Sequence, residues 1–488
     1  MTDFRKIVRN AKRTDRKAEP SYTWKDHLKS FEKGMTTFVP AEAFNGHLLS
    51  SENRILKEGV VFEAVVNDYA SCLAPSLKAI WFAKVIKVCG YRVLAHFIGA
   101  PNQRFWINAL SDDVFSLAYA GKHSEGNKFI YCPPRLLSVR FQDNMDELTS
   151  GALEEVSQCE AFSEAYDEAK EGLNKSRFRV GQRLELLNYN NSREMRVARV
   201  QATCGRRINV LVMKRDYPGD LESDRQVHGG GAQYWIDESS FFIFPVGFAV
   251  LNGLSLKAKK DYEQHSKKIA ESIRNGETPK YDSDDVTFET LMKKPVDPEL
   301  WGEVKVGMKF ELIDPLAQAF NSLHVASILE FCKTDGYIIV GMDGPDALED
   351  SFPVHIKNPF MFKCGYAKKN GLELVPPEGY GKEFKWNEYL EKTGSEKLPL
   401  HMFNPMPSEE TLNKFQVGMR LEAADMCENQ LICPATIKSV HGRIINVNFD
   451  GWDAEYDELY DVESHDIFPI GWCELHDYPL QFPQEADN

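Results

Sequence analysis

The sequence predicts a mainly β protein made of four small barrels in tandem, each preceded by a partly helical arm. Three observations predict it. The stretch Val180-Gly-Gln-Arg-Leu-Glu-Leu186 returns as Val306-Gly-Met-Lys-Phe-Glu-Leu312 and Val417-Gly-Met-Arg-Leu-Glu-Ala423, with a worn copy at Glu58-Gly-Val-Val-Phe-Glu-Ala64. A second landmark follows each of the last three: Phe244-Pro-Val-Gly-Phe248, Phe362-Lys-Cys-Gly-Tyr366 and Phe468-Pro-Ile-Gly-Trp472. Between the landmarks run short alternating segments broken by Gly-rich or Asn-rich turns, the pattern of half-buried strands in a small barrel.

The first-landmark glycines stand at 59, 181, 307 and 418, giving steps of 122, 126 and 111, and the second glycine follows after 66, 58 and 53 residues in the last three units. That period is too long for a solenoid of helix pairs and suits an array of small domains. The boundaries expected are a basic tail over 1–20 and units over 21–140, 141–255, 256–377 and 378–488. The arms carry the helical patterns: Tyr22 to Phe31, Leu256 to Asn275 and Trp386 to Lys392. Proline-containing stretches such as Pro295 to Pro298 and Leu398 to Pro405 join arms to barrels. An arm has no core of its own, so it must pack on a barrel, its own or a neighbour's. The fourth unit shows the strands best. Arg420 to Ala423 alternates, Ile432 to Val440 is β-rich, His441-Gly442 turns the chain, and Arg443 to Phe449 alternates again.

Composition narrows the function. The chain has 488 residues, 43% hydrophobic and 27% charged, which describes a folded protein. Its net charge of −15 argues against a main role in gripping nucleic-acid phosphates and favours a basic partner. No run of about 18 apolar residues is present to span a membrane. Met1 to Lys17 is polar and basic, without the apolar centre of a signal peptide. Ten cysteines include no CxxC and no zinc-finger spacing with histidine, so they read as reduced core thiols of an intracellular protein, and neither a metal nor a cofactor is expected.

The fourth unit reads Gly418 to Asp425, Ile432-Cys-Pro-Ala-Thr436, Asn448-Phe-Asp-Gly-Trp-Asp453, Tyr456-Asp457 and Asp466 to Glu474. Almost all of it resembles the malignant-brain-tumour (MBT) repeat, and the other three units match that frame more loosely. From about Ser21 to Pro483 the chain resembles the four-MBT-repeat proteins of chromatin. The resemblance implies Tudor-like barrels, each with an N-terminal arm packing on an adjoining repeat. It also implies a nuclear, non-catalytic reader of lysines carrying one or two methyl groups, chiefly on H3 or H4 histone tails, working with other repressor proteins.

A methylated lysine keeps its charge while it loses N–H donors and gains apolar surface. Aromatic faces bind such a cation through their quadrupoles, at roughly 0.5–2 kcal/mol each. A carboxylate beside them can accept a remaining N–H in a charge-assisted bond. The resemblance places these roles on Asp425, Phe449, Trp452 and Tyr456. The residues agree in part: Phe449 ends an alternating strand, Gly451 permits a turn that brings Trp452 and Tyr456 back, and Asp425 ends the first strand. The sequence departs from the family where Asn usually stands three residues after the aspartate; that position is Glu428, with Asn429 beside it. The other units lack the set. The third has Asp314 but Met342, Pro345 and Glu349; the second has Asn188 and Val212 followed by the insertion Lys214 to Gln233; the first has Val66 and keeps only Phe97. One methyl-lysine pocket and three structural or accessory repeats are therefore expected.

Plainer readings stand beside these. The three aromatics could be ordinary core. The seven acidic residues between Asp453 and Asp466 could be a solvated face or could attract a basic tail. The basic tail, with Arg5, Lys6 and Arg9 among its charges, fits nuclear import, weak nucleic-acid contact or a solubilising end. His228-Gly-Gly-Gly231 resembles an esterase oxyanion motif, but the G-x-S-x-G elbow is absent. His123-Ser124-Glu125 has the spacing of two iron ligands, which chance supplies freely. The rival to a reader is a scaffold in which all four repeats bind partner proteins.

Overall fold

The computed structural model describes residues 24, 28, 37–45, 56–71, 73–123, 128–173, 175–188, 191–212, 233–292, 296–315, 320–381 and 383–481. The insertion, the basic tail, the His228 motif and most of the predicted Tyr22 to Phe31 helix lie outside these residues; Trp24 and Leu28 are helical.

Four barrels are present, each an antiparallel path that begins and ends the same way. The first contains β1 (Val61–Val65), β2 (Lys78–Cys89), β3 (Arg92–Phe97), β4 (Arg104–Asn108), β5 (Val114–Phe115) and β6 (Phe129–Tyr131). The second contains β7 (Arg183–Asn188), β8 (Asn191–Cys204), β9 (Arg207–Val212), β10 (Gln233–Asp237), β11 (Ile243–Phe244) and β12 (Ser255–Lys257). The third contains β13 (Lys309–Ile313), β14 (Leu323–Phe331), β15 (Tyr337–Met342), β16 (Phe352–His355), β17 (Met361–Phe362) and β18 (Leu374–Val375). The fourth contains β19 (Arg420–Ala424), β20 (Ile432–His441), β21 (Ile444–Phe449), β22 (Glu458–Asp461) and β23 (Ile467–Phe468). In each, the long second strand pairs with the first and third, and the short fifth strand returns to the first. A last segment lies parallel to the long strand, as β6, β12, β18 and the Leu480 bridge to Ile432. This closure corrects one helix: Ser255–Lys257 pairs with Glu194–Arg196, so the helix predicted from Leu256 runs only over Lys260–Arg274. The helix Trp386–Thr393 falls where the sequence put it.

The arms pack on the preceding barrel. Ala161 bridges Val61, Asp285 bridges Arg183 and Lys397 bridges Lys309, each parallel to a first strand. Phe38 bridges Arg420 in the same manner, so the first arm lies on the last barrel. Trp24 and Phe38 enter a core with Ala424, Ile432 and Phe468, while Val39, Ala43 and Phe44 enter a second core with Phe415, Leu421 and Phe449. Burying such side chains contributes about 1.5–3 kcal/mol each, enough to hold an arm without a core of its own.

The two landmarks form one device. The landmark glutamate is fully buried in every barrel and accepts two backbone N–H groups at the turn after the fifth strand. Glu185 takes those of Gly247 and Ala249 at 2.9 and 2.7 Å, Glu311 those of Gly365 and Ala367 at 2.5 and 2.7 Å, and Glu422 those of Gly471 and Cys473 at 2.7 and 2.8 Å. Glu63 takes those of Ala118 and Ala120 at 2.8 and 3.0 Å. The first unit therefore has the second landmark too, as Phe115-Ser-Leu-Ala-Tyr119, with Ala118 at φ +68° where the others use glycine at +98°, +88° and +89°. A carboxylate facing the N–H end of a short helix is well placed, but burial still pushes Glu185 and Glu422 up to about 7.

The fourth barrel touches the other three. The Tyr91 N–H donates to the Ile470 carbonyl at 2.8 Å and Asn108 Nδ2 to the Gly471 carbonyl at 2.9 Å. From the second barrel, the buried Arg207 guanidinium donates to Asp466 at 3.1 Å and to the Asn429 carbonyl at 2.5 Å. From the third, Tyr366 Oη donates to the His441 carbonyl at 2.8 Å, and the Leu459 N–H reaches the Phe320 carbonyl at 2.6 Å.

Candidate functional site

The sheet register fixes which residues are equivalent. Phe449 lies opposite Ala435, as Phe97 lies opposite Ala83, Val212 opposite Ala198 and Met342 opposite Ala326. Asp425 stands three residues past Glu422, as Val66, Asn188 and Asp314 stand past their landmark glutamates. The fourth barrel thus alone combines an acid at the end of its first strand with an aromatic at the end of its third. Both ends flank one stretch of β20, where Ala424 pairs with Ile432 and Phe449 with Ala435.

The turn after β21 is tightly specified. Trp452 N–H closes it on the Phe449 carbonyl at 3.0 Å, and Gly451 adopts φ +80°, a conformation that disfavours a side chain. Asp450 anchors it: Thr436 Oγ1 donates to Oδ1 at 2.6 Å and Arg420 lies 3.3 Å from Oδ2. The short helix Ala454–Tyr456 follows. The Trp452 and Tyr456 rings meet nearly edge to face, with centroids 5.6 Å apart and planes at 71°. Both are half-buried against a cluster that contains Phe449 and Met426. Phe449 is only 3% exposed, so that ring belongs to the core and its neighbours form the rim.

Asp425 is oriented by backbone. Its Oδ1 accepts the N–H groups of Cys427 and Glu428, both at 2.8 Å. The departure at Glu428 therefore leaves the carboxylate held by main chain, while the Asn429 side-chain amide donates to the Met426 carbonyl at 3.2 Å and its own carbonyl accepts from Arg207. Beneath the loop lies Glu458, fully buried, which accepts the Met426 N–H at 3.0 Å and Tyr460 Oη–H at 2.5 Å. Burial first, and then the nearby Asp425 charge, push Glu458 up to about 8. Nothing in the sequence pattern singled out Glu458; only the strand register reveals it.

The acidic run is only in part a solvated face. Asp457, Glu458 and Asp461 are buried. Asp457 is held by Lys438 and Asn448 at 2.6 Å each, Asp461 by Arg443, and Asp466 by Arg207. Asp457, Asp461 and Asp466 are drawn into ion pairs, Glu458 is buried without one among the described residues, and Asp453, Glu455 and Glu463 lie at the surface. The core-thiol expectation holds for Cys89, Cys433 and Cys473, but Cys427 is exposed beside Asp425; all nine described cysteines are free thiols. No helix among the described residues is long and apolar enough to cross a membrane. A cavity of about 430 Å³ opens behind the Asp425 loop, where Phe241, Phe360, Met426, Asn429 and Arg443 from three repeats meet, and it is separate from the Trp452–Tyr456 corner.

Four barrels whose arms pack on neighbouring barrels, the fourth with Asp425 after its first strand and Phe449 at the end of its third, define a tandem barrel protein of the MBT class. The MBT-repeat family model matches residues 72–126, 182–263, 308–381 and 419–487, and the chain belongs to that family. It is 60% identical to Protein lin-61 of Caenorhabditis elegans, over 99% of this chain and 80% of that protein. It is 40% identical to Malignant brain tumor repeat protein 1 of the same organism, over 95% of this chain and 87% of that one. The fold matches the crystal structure of the four MBT repeats of Drosophila melanogaster Sfmbt in complex with the peptide RHR(me)KVLR, with TM-score 0.76 and 28% identity over 95% of this chain and 99% of that one.

Proposed function

We propose that the chain is a non-catalytic reader of methylated lysine on histone tails, acting in the nucleus in chromatin-based repression. The observation that carries this is the confinement of the complete set, Asp425 with Phe449, Trp452 and Tyr456, to one barrel of four. The methylated peptide bound by the Sfmbt repeats and the Polycomb name of that relative support the ligand class and the setting. Asp425 receives the methylammonium N–H, and the rings exclude water from the methyl groups. Trimethyl-lysine has no N–H to offer, so mono- and dimethyl states are preferred. One side chain supplies most of the buried area, so a short peptide binds weakly, in the micromolar to sub-millimolar range. Repeats 1 to 3 brace the fourth and add partner contacts or avidity.

Titration of unmodified, mono-, di- and trimethylated H3 and H4 peptides tests the proposal, with wild type and Tyr456→Ala side by side. Methyl-dependent binding lost in the variant supports it. Equal binding in every combination replaces it with the scaffold reading.

A further inference from the structure

The fourth rung of the third-to-fourth-strand ladder carries Phe105, Tyr234 and Phe352 in the first three barrels, opposite Ala95, Val210 and Val340. In the fourth barrel the same rung, opposite Val447, carries Glu458. A buried acid thus replaces an aromatic in the one barrel that has the Asp425 set. The replacement is costly, since an isolated buried carboxylate is strongly disfavoured. Its placement is specific: acceptor atoms of Asp425, Cys427 and Glu458 all lie within 4.8 Å of one another.

We propose that Glu458 is a second, proton-bearing acid behind the fourth-repeat pocket, and that engaging an alkylated lysine cation expels its proton to solvent. The inference rests on the methyl-lysine reading of that pocket. Two carboxylates this close do not both ionise readily in a buried site. Without ligand the proton sits on Glu458, which burial and then the neighbouring Asp425 push up to about 8. A cation beside Asp425 offsets that repulsion, so the Glu458 O–H bond breaks, the electron pair stays on the carboxylate and the proton passes to buffer. The surroundings favour this exchange. Asp425 faces Glu458 from the end of β19, Cys427 from the loop and Tyr460 from its own strand. Asp457, next in sequence, is already paired with Lys438, and β21 presents the apolar Val447. The third repeat contributes the uncharged Phe320 carbonyl. The donors that favour an ionised Glu458, the Met426 N–H, the Tyr460 hydroxyl and the Cys427 thiol, are all neutral, and the ligand brings a positive charge.

While Glu458 is protonated in the free protein and ionised in the complex, binding releases a proton and affinity rises with pH. Dissociation constants for a histidine-free dimethyl-lysine peptide are measured from about pH 6 to about pH 9, where wild type should tighten roughly fivefold to tenfold. Calorimetry of wild type in two buffers of different ionisation enthalpy should show proton release near neutral pH. Glu458→Gln should bind with a flat profile; if that variant does not fold, the wild-type calorimetry decides alone. A flat wild-type profile without proton release, or the same slope in Glu458→Gln, overturns this inference and leaves the pocket reading intact. No binding of the dimethyl peptide at any pH overturns both.

Discussion

Trp24 Nε1 donates a 2.7 Å hydrogen bond to Glu422 Oε1, joining residues 398 positions apart. The bond ties the first arm to the landmark glutamate of the last barrel, and Val39, Ala43 and Phe44 extend the contact into the core that contains Phe449. In the third barrel Trp386, from the fourth arm, makes the same bond to Glu311 at 2.7 Å. The N-terminal residues are thus a structural part of the C-terminal repeat.

Deleting residues 1–45 should therefore damage the fourth repeat although no pocket residue is removed. The expected outcome is a lower midpoint in chemical denaturation and loss of methylated-peptide binding. Trp24→Phe, which keeps the ring's bulk and removes the donor, should cost about 1–3 kcal/mol because a buried acceptor loses a partner. Unchanged stability in both would mean that the arm contributes nothing to the barrel.

Asp425→Asn separates the hydrogen-bonding role of the acid from simple cavity shape. The amide keeps the size and an oxygen for the Cys427 and Glu428 N–H groups. It lacks the charge that strengthens the bond to a methylammonium N–H. Mono- and dimethyl binding should fall more than tenfold and trimethyl binding by less, measured by titration of matched peptides. An equal loss for all states would show that the acid acts only through overall charge.

The landmark period made the four barrels legible in the sequence, because each barrel repeats one solution to burying a glutamate against a turn. The strand pattern of the fourth barrel was legible as well, since Arg420–Ala423 and Arg443–Phe449 alternate in sequence, although Leu421 to Ala424 are buried on both faces. That an arm packs on an adjoining repeat was implied by the resemblance; that it is the preceding one, and that the first arm lies on the last barrel, was not legible. A short amphipathic helix looks the same whether it packs on its own barrel or on the one before. Ala118 hid the second landmark of the first unit, because the backbone there keeps a glycine conformation without a glycine. The acidic run misled for a similar reason: Arg207 and Arg443, which neutralise Asp466 and Asp461, stand far from it or outside it in sequence.

Arg207 gives a test of communication between repeats. It is buried and donates to Asp466, to the Trp235 carbonyl and to the Asn429 carbonyl in the Asp425 loop. Arg207→Met keeps much of the side chain's length and removes every donor. A loss of roughly 2–3 kcal/mol is expected, the range for hydrogen bonds to charged groups, together with weaker peptide binding. Weaker binding at full stability would place its effect on the loop alone. Unchanged binding and stability would mean that the two repeats are held by apolar contacts.

Glu185 and Glu422 both titrate near 7 through burial, against 4.5 for an ordinary glutamate. Their folded-state values are raised, so their stabilising contribution is complete below about 4.5 and is lost as pH rises through about 7. Each tenfold difference in proton affinity between the folded and unfolded chain is worth about 1.4 kcal/mol, so wild type should lose on the order of 3 kcal/mol across that window relative to Glu422→Gln. Denaturant titrations of both proteins at intervals from about pH 4.5 to about pH 8 measure the difference. A constant difference would mean that Glu422 keeps one ionisation state throughout.

Ala118 offers a gain of stability. Its φ of +68° serves the same turn as Gly247, Gly365 and Gly471, whose N–H groups, like its own, point at a landmark glutamate. A side chain in that conformation costs about 1–2 kcal/mol, while glycine returns part of the benefit through greater freedom in the unfolded chain. Ala118→Gly should therefore stabilise the first barrel by about 0.5–1 kcal/mol. The reverse change, Gly471→Ala, should destabilise, because the new Cβ also meets Arg92 Cγ and Asn108 Nδ2 at 3.0 Å each. Denaturant midpoints decide both. A neutral or lowered midpoint for Ala118→Gly would show that the first turn differs in energy from its three counterparts despite sharing their hydrogen bonds.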